Sequence, residues 1–244
     1  MTTSFCFAMK AKKAMLKLQL DIAQFELHRE HFGRADERVS DFVPDAWQIR
    51  LIDAIDANKS CVVVAPTSSG KTFASFYAFE KILNNKADNG VVVYVAPAKS
   101  LINQMTAAIY SKYKRKDPGK NKHLIGVFTR DHVENINTCR ILLTVPECLE
   151  IIYFSSTAFA TGLTKNIRYI VFDEFQNMND ENRGRIWERV ALFCACPFLA
   201  LSATIKNPAQ LTEWLNESKR AFGETILIEY KQPSTEFVYN VFNP

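Results

Sequence analysis

The sequence predicts an α/β domain in which a mostly parallel sheet of about seven strands is flanked by helices. Three observations carry this expectation. Short β-rich runs alternate with helical stretches after Asp41, several of the runs are apolar and β-branched throughout, and one of them leads through a glycine-containing loop straight into a helix. Unbroken apolar runs suit strands buried on both faces of a parallel sheet, where an antiparallel sheet with one wet face would show alternation. The alternation of strand and helix argues for a doubly wound topology, in which ligands bind beyond the carboxyl ends of the strands.

Taken in order, the expected strands are Cys61–Ala65, Val91–Ala96, Leu124–Phe128, Arg140–Val145, Tyr169–Phe172, Phe198–Leu201 and Thr225–Tyr230. Expected helices include Ile49–Ala57, Thr72–Leu83, Leu101–Tyr113 and one starting at Asn207, with Asn207 as cap and Pro208 in the first turn. Between Lys10 and about His31, Met15, Leu18, Ile22 and Phe25 recur at three-to-four spacing, which predicts an amphipathic helix preceding the main domain.

Composition narrows the function classes. The 244 residues are 48% hydrophobic and 23% charged, the profile of a globular protein with a full core, and the net charge of +4 permits a polyanionic partner without announcing one. The six cysteines form no C-x-x-C pair and no histidine cluster joins them, so no zinc site is expected. Unpaired thiols and the absence of a signal-peptide core point to a cytoplasmic protein. The longest apolar stretch, Val190–Leu201, is interrupted by Pro197 and too short for a membrane span.

The chemistry concentrates in two segments. Strand Cys61–Ala65 runs into Pro66-Thr67-Ser68-Ser69-Gly70-Lys71-Thr72 and then a helix. A loop in that position aims backbone N–H groups and a helix N-terminus at one point, which suits the phosphates of ATP. Gly70 permits close approach, Lys71 reaches the β and γ phosphates, and the Thr72 hydroxyl is placed to ligate Mg²⁺. The usual pattern opens with glycine, where this chain has Ala65. The second segment is Tyr169–Phe172 followed by Asp173-Glu174, a strand tip on which one carboxylate can hold Mg²⁺ and the next can polarise an attacking water. The ordinary alternative is an acidic strand end in solvent. Upstream, Gln48 offers the donor and acceptor that match an adenine edge and Phe42 a ring to stack on it; equally, the segment reads as a capped helix with two aromatics in the core. The run Lys112–Lys122 is the most basic stretch, either a phosphate-contacting surface or a solvated loop.

Together these segments resemble a family. Phe42…Gln48, Ala65–Thr72, Ala96-Pro-Ala-Lys-Ser-Leu-Ile-Asn-Gln104, Thr144-Val-Pro-Glu147, Asp173-Glu-Phe-Gln176 and Ser202-Ala-Thr204 occur in the order of the motifs of superfamily-two DExD/H-box helicases. The nearest branch resembles the superkiller-like RNA helicases, and Phe128-Thr-Arg-Asp131 with Leu143–Leu149 is similar to the interferon-induced DEAD-box-sixty-like proteins. The resemblance implies a RecA-like P-loop NTPase domain, ATP and Mg²⁺ as cofactors, and single-stranded or partly duplex RNA as partner, with DNA possible. It implies that Pro97, Lys99, Ser100, Thr144 and Pro146 touch a nucleic-acid backbone. By the same token Gln176, Ser202 and Thr204 couple the nucleotide site to that side. Phe175-Gln176 departs from the branch, which more often has an aliphatic residue and histidine there.

The expected organisation is an N-terminal helical extension, residues 1–41, and a first RecA-like domain, residues 42–244. The second such domain, with the arginines that touch the γ-phosphate, is expected in cis or trans, and hydrolysis is expected to be slow without it. A DNA-directed translocase and a nucleotide-gated RNA-binding module without turnover are the competing expectations. A phosphate-loop kinase is disfavoured, because it assigns no task to Ser202-Ala-Thr204.

Overall fold

A computed structural model describes residues 35–85, 88–114, 122–219 and 223–230. The expected helix between Lys10 and His31 and most of the basic run after Lys114 lie outside the described residues. The chain divides into two compact units, Met1–Arg50 and Leu51–Pro244.

Helix α1 covers Ala46–Asp56. Strands β1 (Ser60–Val64), β2 (Val91–Val95), β3 (His123–Phe128), β5 (Cys139–Thr144), β6 (Ile167–Phe172), β7 (Phe198–Ser202) and β8 (Thr225–Glu229) match the seven expected runs to within two residues. An eighth, β4 (Val133–Glu134), extends the expected number. The helices are α2 (Lys71–Asn84), α3 (Lys99–Tyr113), α4 (Pro146–Phe154), α5 (Ala158–Asn166), α6 (Gly184–Phe193) and α7 (Pro208–Ser218). Single turns of 3-10 helix occupy Thr67–Ser69 and Phe175–Asn179.

One sheet holds all eight strands in the order β4-β3-β5-β2-β6-β7-β1-β8. Every pairing is parallel except β3 with β4. Strands β2, β5 and β7 are buried along their whole length, as covered faces require. The two-residue β4 is exposed at one edge, a margin too short to offer much to an adventitious strand.

The order of the central strands decides where chemistry can occur. Because β6, β7 and β1 are parallel neighbours, the segments after Val64, Phe172 and Ser202 all leave the sheet at the same end. An aromatic cluster fixes the middle of that end. Phe172 and Phe175 lie 5.5 Å apart, and Phe175 meets Trp187 of α6 edge-on at 5.9 Å. Phe175 is wholly buried, and burying a side chain of this size contributes about 1.5–3 kcal/mol. At Gly184 an added Cβ would stand 2.2 Å from the Met178 carbonyl oxygen, so α6 begins with glycine because the 3-10 turn is pressed against it.

Candidate functional site

After β1 the backbone continues straight for one residue. Ala65 N donates to Ser202 O at 3.0 Å and the residue is fully buried, which explains why alanine serves where glycine is usual: no left-handed backbone is needed there. The loop then closes through Ser69, whose N and Oγ both donate to Pro66 O, at 3.1 and 2.6 Å. Gly70 does need its freedom, with φ 84° at the junction to α2.

Lys71 is 7% exposed, and its ammonium donates to Ala65 O at 2.7 Å. Burial lowers its pKa below the ordinary lysine value, and the negative charges of Glu174 and then Asp173 oppose that shift. Thr67, Lys71, Thr72, Tyr94, Asp173 and Glu174, with Leu101, Gln104, Met105 and Ala108 of α3, line one cavity of about 240 Å³. The structure thus brings the predicted loop and the predicted acidic pair to the walls of one space.

Asp173 is held on three sides. Its N donates to Val95 O at 2.8 Å, Oδ1 accepts from Glu174 N at 3.0 Å, and Oδ2 accepts from the Tyr94 hydroxyl. Burial raises its pKa; the Tyr94 bond pulls the other way, and Glu174 beside it adds to the rise. Glu174 sits in the left-handed region, φ 52° and ψ 46°, a conformation that costs a non-glycine residue about 1–3 kcal/mol. Asn177 sustains it by donating from Nδ2 and N to Glu174 O at 2.6 and 3.0 Å.

Gln176 joins this turn to β7. Its Nε2 donates to Glu174 Oε2, and its Oε1 accepts from Ser202 Oγ at 2.7 Å and from Ala203 N at 3.4 Å. A carboxylate only accepts and a backbone N–H only donates, so the amide orientation follows from its partners. Ser202 Oγ also reaches Thr204 O at 3.3 Å; Thr204 enters through its carbonyl while its side chain is exposed.

A second cleft, about 680 Å³, is lined by Pro97, Ala98, Lys99, Ser100, Arg130, Val145, Glu147, Arg183 and Ile186. Lys99 pairs with Asp131, and Arg183 lies 3.9 Å from Glu147. Two of the predicted backbone-contacting residues do not face it. Thr144 is fully buried with its hydroxyl donating to Phe128 O at 2.7 Å, and Pro146 is a buried first residue of α4. Arg130 and Arg183 were not singled out from the sequence; Arg183 lies in no motif, and Arg130 only within the Phe128–Asp131 resemblance.

Phe42 and Gln48 belong to the Met1–Arg50 unit. Gln48 Oε1 accepts from Asp45 N at 2.9 Å, the reach-back half of a capping box at the start of α1, and Phe42 is 41% exposed.

Comparison with known proteins fits this geometry. Residues 45–212 match the DEAD/DEAH box helicase family. The chain is 45% identical over 204 residues to a human protein named probable ATP-dependent RNA helicase DDX60-like, covering 84% of this chain and 12% of that protein. It is 38% identical over 245 residues to an uncharacterized helicase of Caenorhabditis elegans, covering 96% of this chain and 14% of that one. Human exosome RNA helicase MTR4 is 28% identical over 192 residues, 78% of this chain and 17% of MTR4. The fold is shared with the DUF1998 helicase MrfA solved with DNA and AMPPNP, at a TM-score of 0.64 and 19% identity over 81% of this chain and 30% of MrfA. The chain thus spans a small fraction of the length of the relatives it matches.

Proposed function

The chain belongs to the DEAD/DEAH box helicase family, and from that premise we propose that it is the ATP-binding motor domain of an RNA helicase. In this reading residues 42–244 are a first RecA-like domain and residues 1–41 its extension, and the protein works in the cytoplasm. The observation that carries the proposal is the single cavity shared by Lys71, Thr72, Asp173 and Glu174.

The donor set fits a metal-bound triphosphate. One ammonium, a hydroxyl and two carboxylates on the walls of one cavity supply a cation for phosphate and hard oxygens for Mg²⁺. When bound, Mg²⁺ neutralises charge developing on the phosphate oxygens. Lys71 exchanges Ala65 O for a phosphate oxygen, regaining a charge-assisted bond for its buried ammonium. Thr72 and Asp173 would hold the metal, directly or through water. Glu174 orients the attacking water with one oxygen while Gln176 steadies the other. Thr67, Ser68, Ser69 and Gly70 contribute backbone.

Pro97, Lys99 and Ser100, joined by Arg130 and Arg183, contact one nucleic-acid strand through backbone charge, hydroxyl and amide groups. Val145, between the buried Thr144 and Pro146, lines that cleft. Gln176, Ser202 and Thr204 carry the state of one site to the other. An arginine from a second RecA-like domain is worth about 10³–10⁵ in related phosphoryl transfers, so this chain alone binds nucleotide and turns it over slowly.

Hydrolysis followed with matched RNA and DNA strands, with wild type and Glu174→Gln, tests this reading. Tight nucleotide binding, slow turnover and a preference for RNA are expected, with Glu174→Gln binding ATP and lowering the residual rate about 10²–10⁴-fold. Vigorous RNA-stimulated turnover by the isolated monomer would contradict the incomplete-motor reading, and a preference for DNA would contradict the RNA assignment.

A further inference from the structure

Tyr94 is the fourth residue of Val91-Val-Val-Tyr-Val95, the strand between β5 and β6, and it is 1% exposed. Nothing in its sequence setting marks it as other than core. Its ring packs edge-on against Phe79 of α2 at 6.2 Å. Its hydroxyl nevertheless reaches the wall of the nucleotide cavity and donates to Asp173 Oδ2.

That bond completes a two-point hold. Oδ1 takes the Glu174 N–H and Oδ2 takes the Tyr94 O–H, so each carboxylate oxygen has one donor and rotation of the group is suppressed. Each oxygen keeps a further lone pair.

We propose that Tyr94 is a positioning residue for the divalent cation: its hydroxyl orients the Asp173 carboxylate so that the remaining lone pairs face the cavity that Thr72 also lines. This rests on the reading of that cavity as the ATP–Mg²⁺ site. A phenylalanine would fill the same core space but leave the carboxylate free to turn, and the cation would then have to order it on binding. Partners of this outer kind are worth about 10–100-fold in metal affinity where they have been removed elsewhere.

The test compares wild type, Tyr94→Phe and Phe79→Leu by titrating a fluorescent ATP analogue at a series of free Mg²⁺ concentrations, with a chelator series as zero. Tyr94→Phe should raise the Mg²⁺ concentration that gives half of the affinity enhancement by about 10–100-fold, leaving metal-free nucleotide affinity unchanged. Phe79→Leu, which loosens the same ring without touching the hydroxyl, should lower thermal stability and leave the Mg²⁺ midpoint where it is. An unmoved midpoint in Tyr94→Phe overturns the inference while leaving the nucleotide site standing. Wild type that shows no Mg²⁺-dependent binding overturns the site itself. Should Tyr94→Phe not fold, the near-ultraviolet tyrosine absorption of the nucleotide-bound wild type decides. Added Mg²⁺ should shift that band as the charge beside the phenol is neutralised, and no shift overturns the inference.

Discussion

Gln176 accepts the Ser202 hydroxyl at 2.7 Å while donating its own amide to Glu174, so one side chain bridges the tips of β6 and β7. Glutamine, with a donor and an acceptor on one amide, can make both contacts at once. Since β7 lies between β6 and β1, the bridge connects the acidic turn to the strand that also receives Ala65 N from the loop after β1.

Breaking the bridge should uncouple the two sites without emptying either. For Gln176→Ala, nucleotide and RNA should each still bind, but the factor by which one raises affinity for the other should collapse toward unity. Couplings of this kind amount to about 1–3 kcal/mol, or roughly 5–150-fold. Paired titrations of ATP analogue with and without saturating RNA measure it.

Asp173→Asn should separate stability from function. The folded-state pKa of Asp173 is raised by burial, so the folded chain holds that proton more tightly than the unfolded one. The ionised group accordingly costs stability at neutral pH, and the cost is relieved as pH falls through the raised value. An asparagine keeps the shape, and the Tyr94 hydroxyl can turn to accept from its amide. The variant should melt higher at neutral pH, with each 1 kcal/mol worth about 2–4 °C in a chain of this size, and lose Mg²⁺-dependent nucleotide binding. Calorimetric melts and nucleotide titrations in parallel check both halves.

Thr144 tests the boundary between scaffold and contact surface. Thr144→Val removes the bond to Phe128 O and should cost about 0.5–1.5 kcal/mol in denaturant unfolding, because a part-buried carbonyl loses a donor. RNA affinity of the folded variant should not change. A selective loss of RNA binding with full stability would return Thr144 to the contact surface.

Arg130→Ala and Arg183→Ala should each weaken single-stranded RNA binding and lower the slope of log affinity against log salt by about 0.7. Lys99→Ala should do less, because Asp131 already engages that ammonium, and Asp131→Asn should raise RNA affinity by releasing it. Salt-dependent anisotropy titrations read all four.

Most of the sheet is legible in the sequence because its strands are buried on both faces and write themselves as continuous apolar runs. Strand β4 is not, since two exposed residues carry no periodicity and their pairing depends on the turn in which Thr129 N donates to His132 O at 2.8 Å. The phosphate loop and Asp173-Glu174 are legible because each is contiguous along the chain. Tyr94 is invisible for the opposite reason: its hydroxyl meets a carboxylate 79 residues away, and only the register of β2 against β6 brings them together. Arg130 and Arg183 are likewise gathered from two separate element ends, one after β3 and one before α6. Thr144 looks outward-facing as a loop hydroxyl, yet the last residue of a fully buried strand has a neighbouring carbonyl for its nearest acceptor.

In the proposed function the residue 65–72 loop and the acidic tip of β6 hold one metal-bound triphosphate between them. Isothermal titration of Mg²⁺ with a non-hydrolysable ATP analogue into wild type and Lys71→Ala tests it most directly. The account predicts saturable heat for wild type and, on losing a hydrogen bond from a charged donor worth about 1.5–3 kcal/mol, affinity weakened roughly 10–100-fold in the variant. Equal affinities, or no heat from wild type, would contradict it.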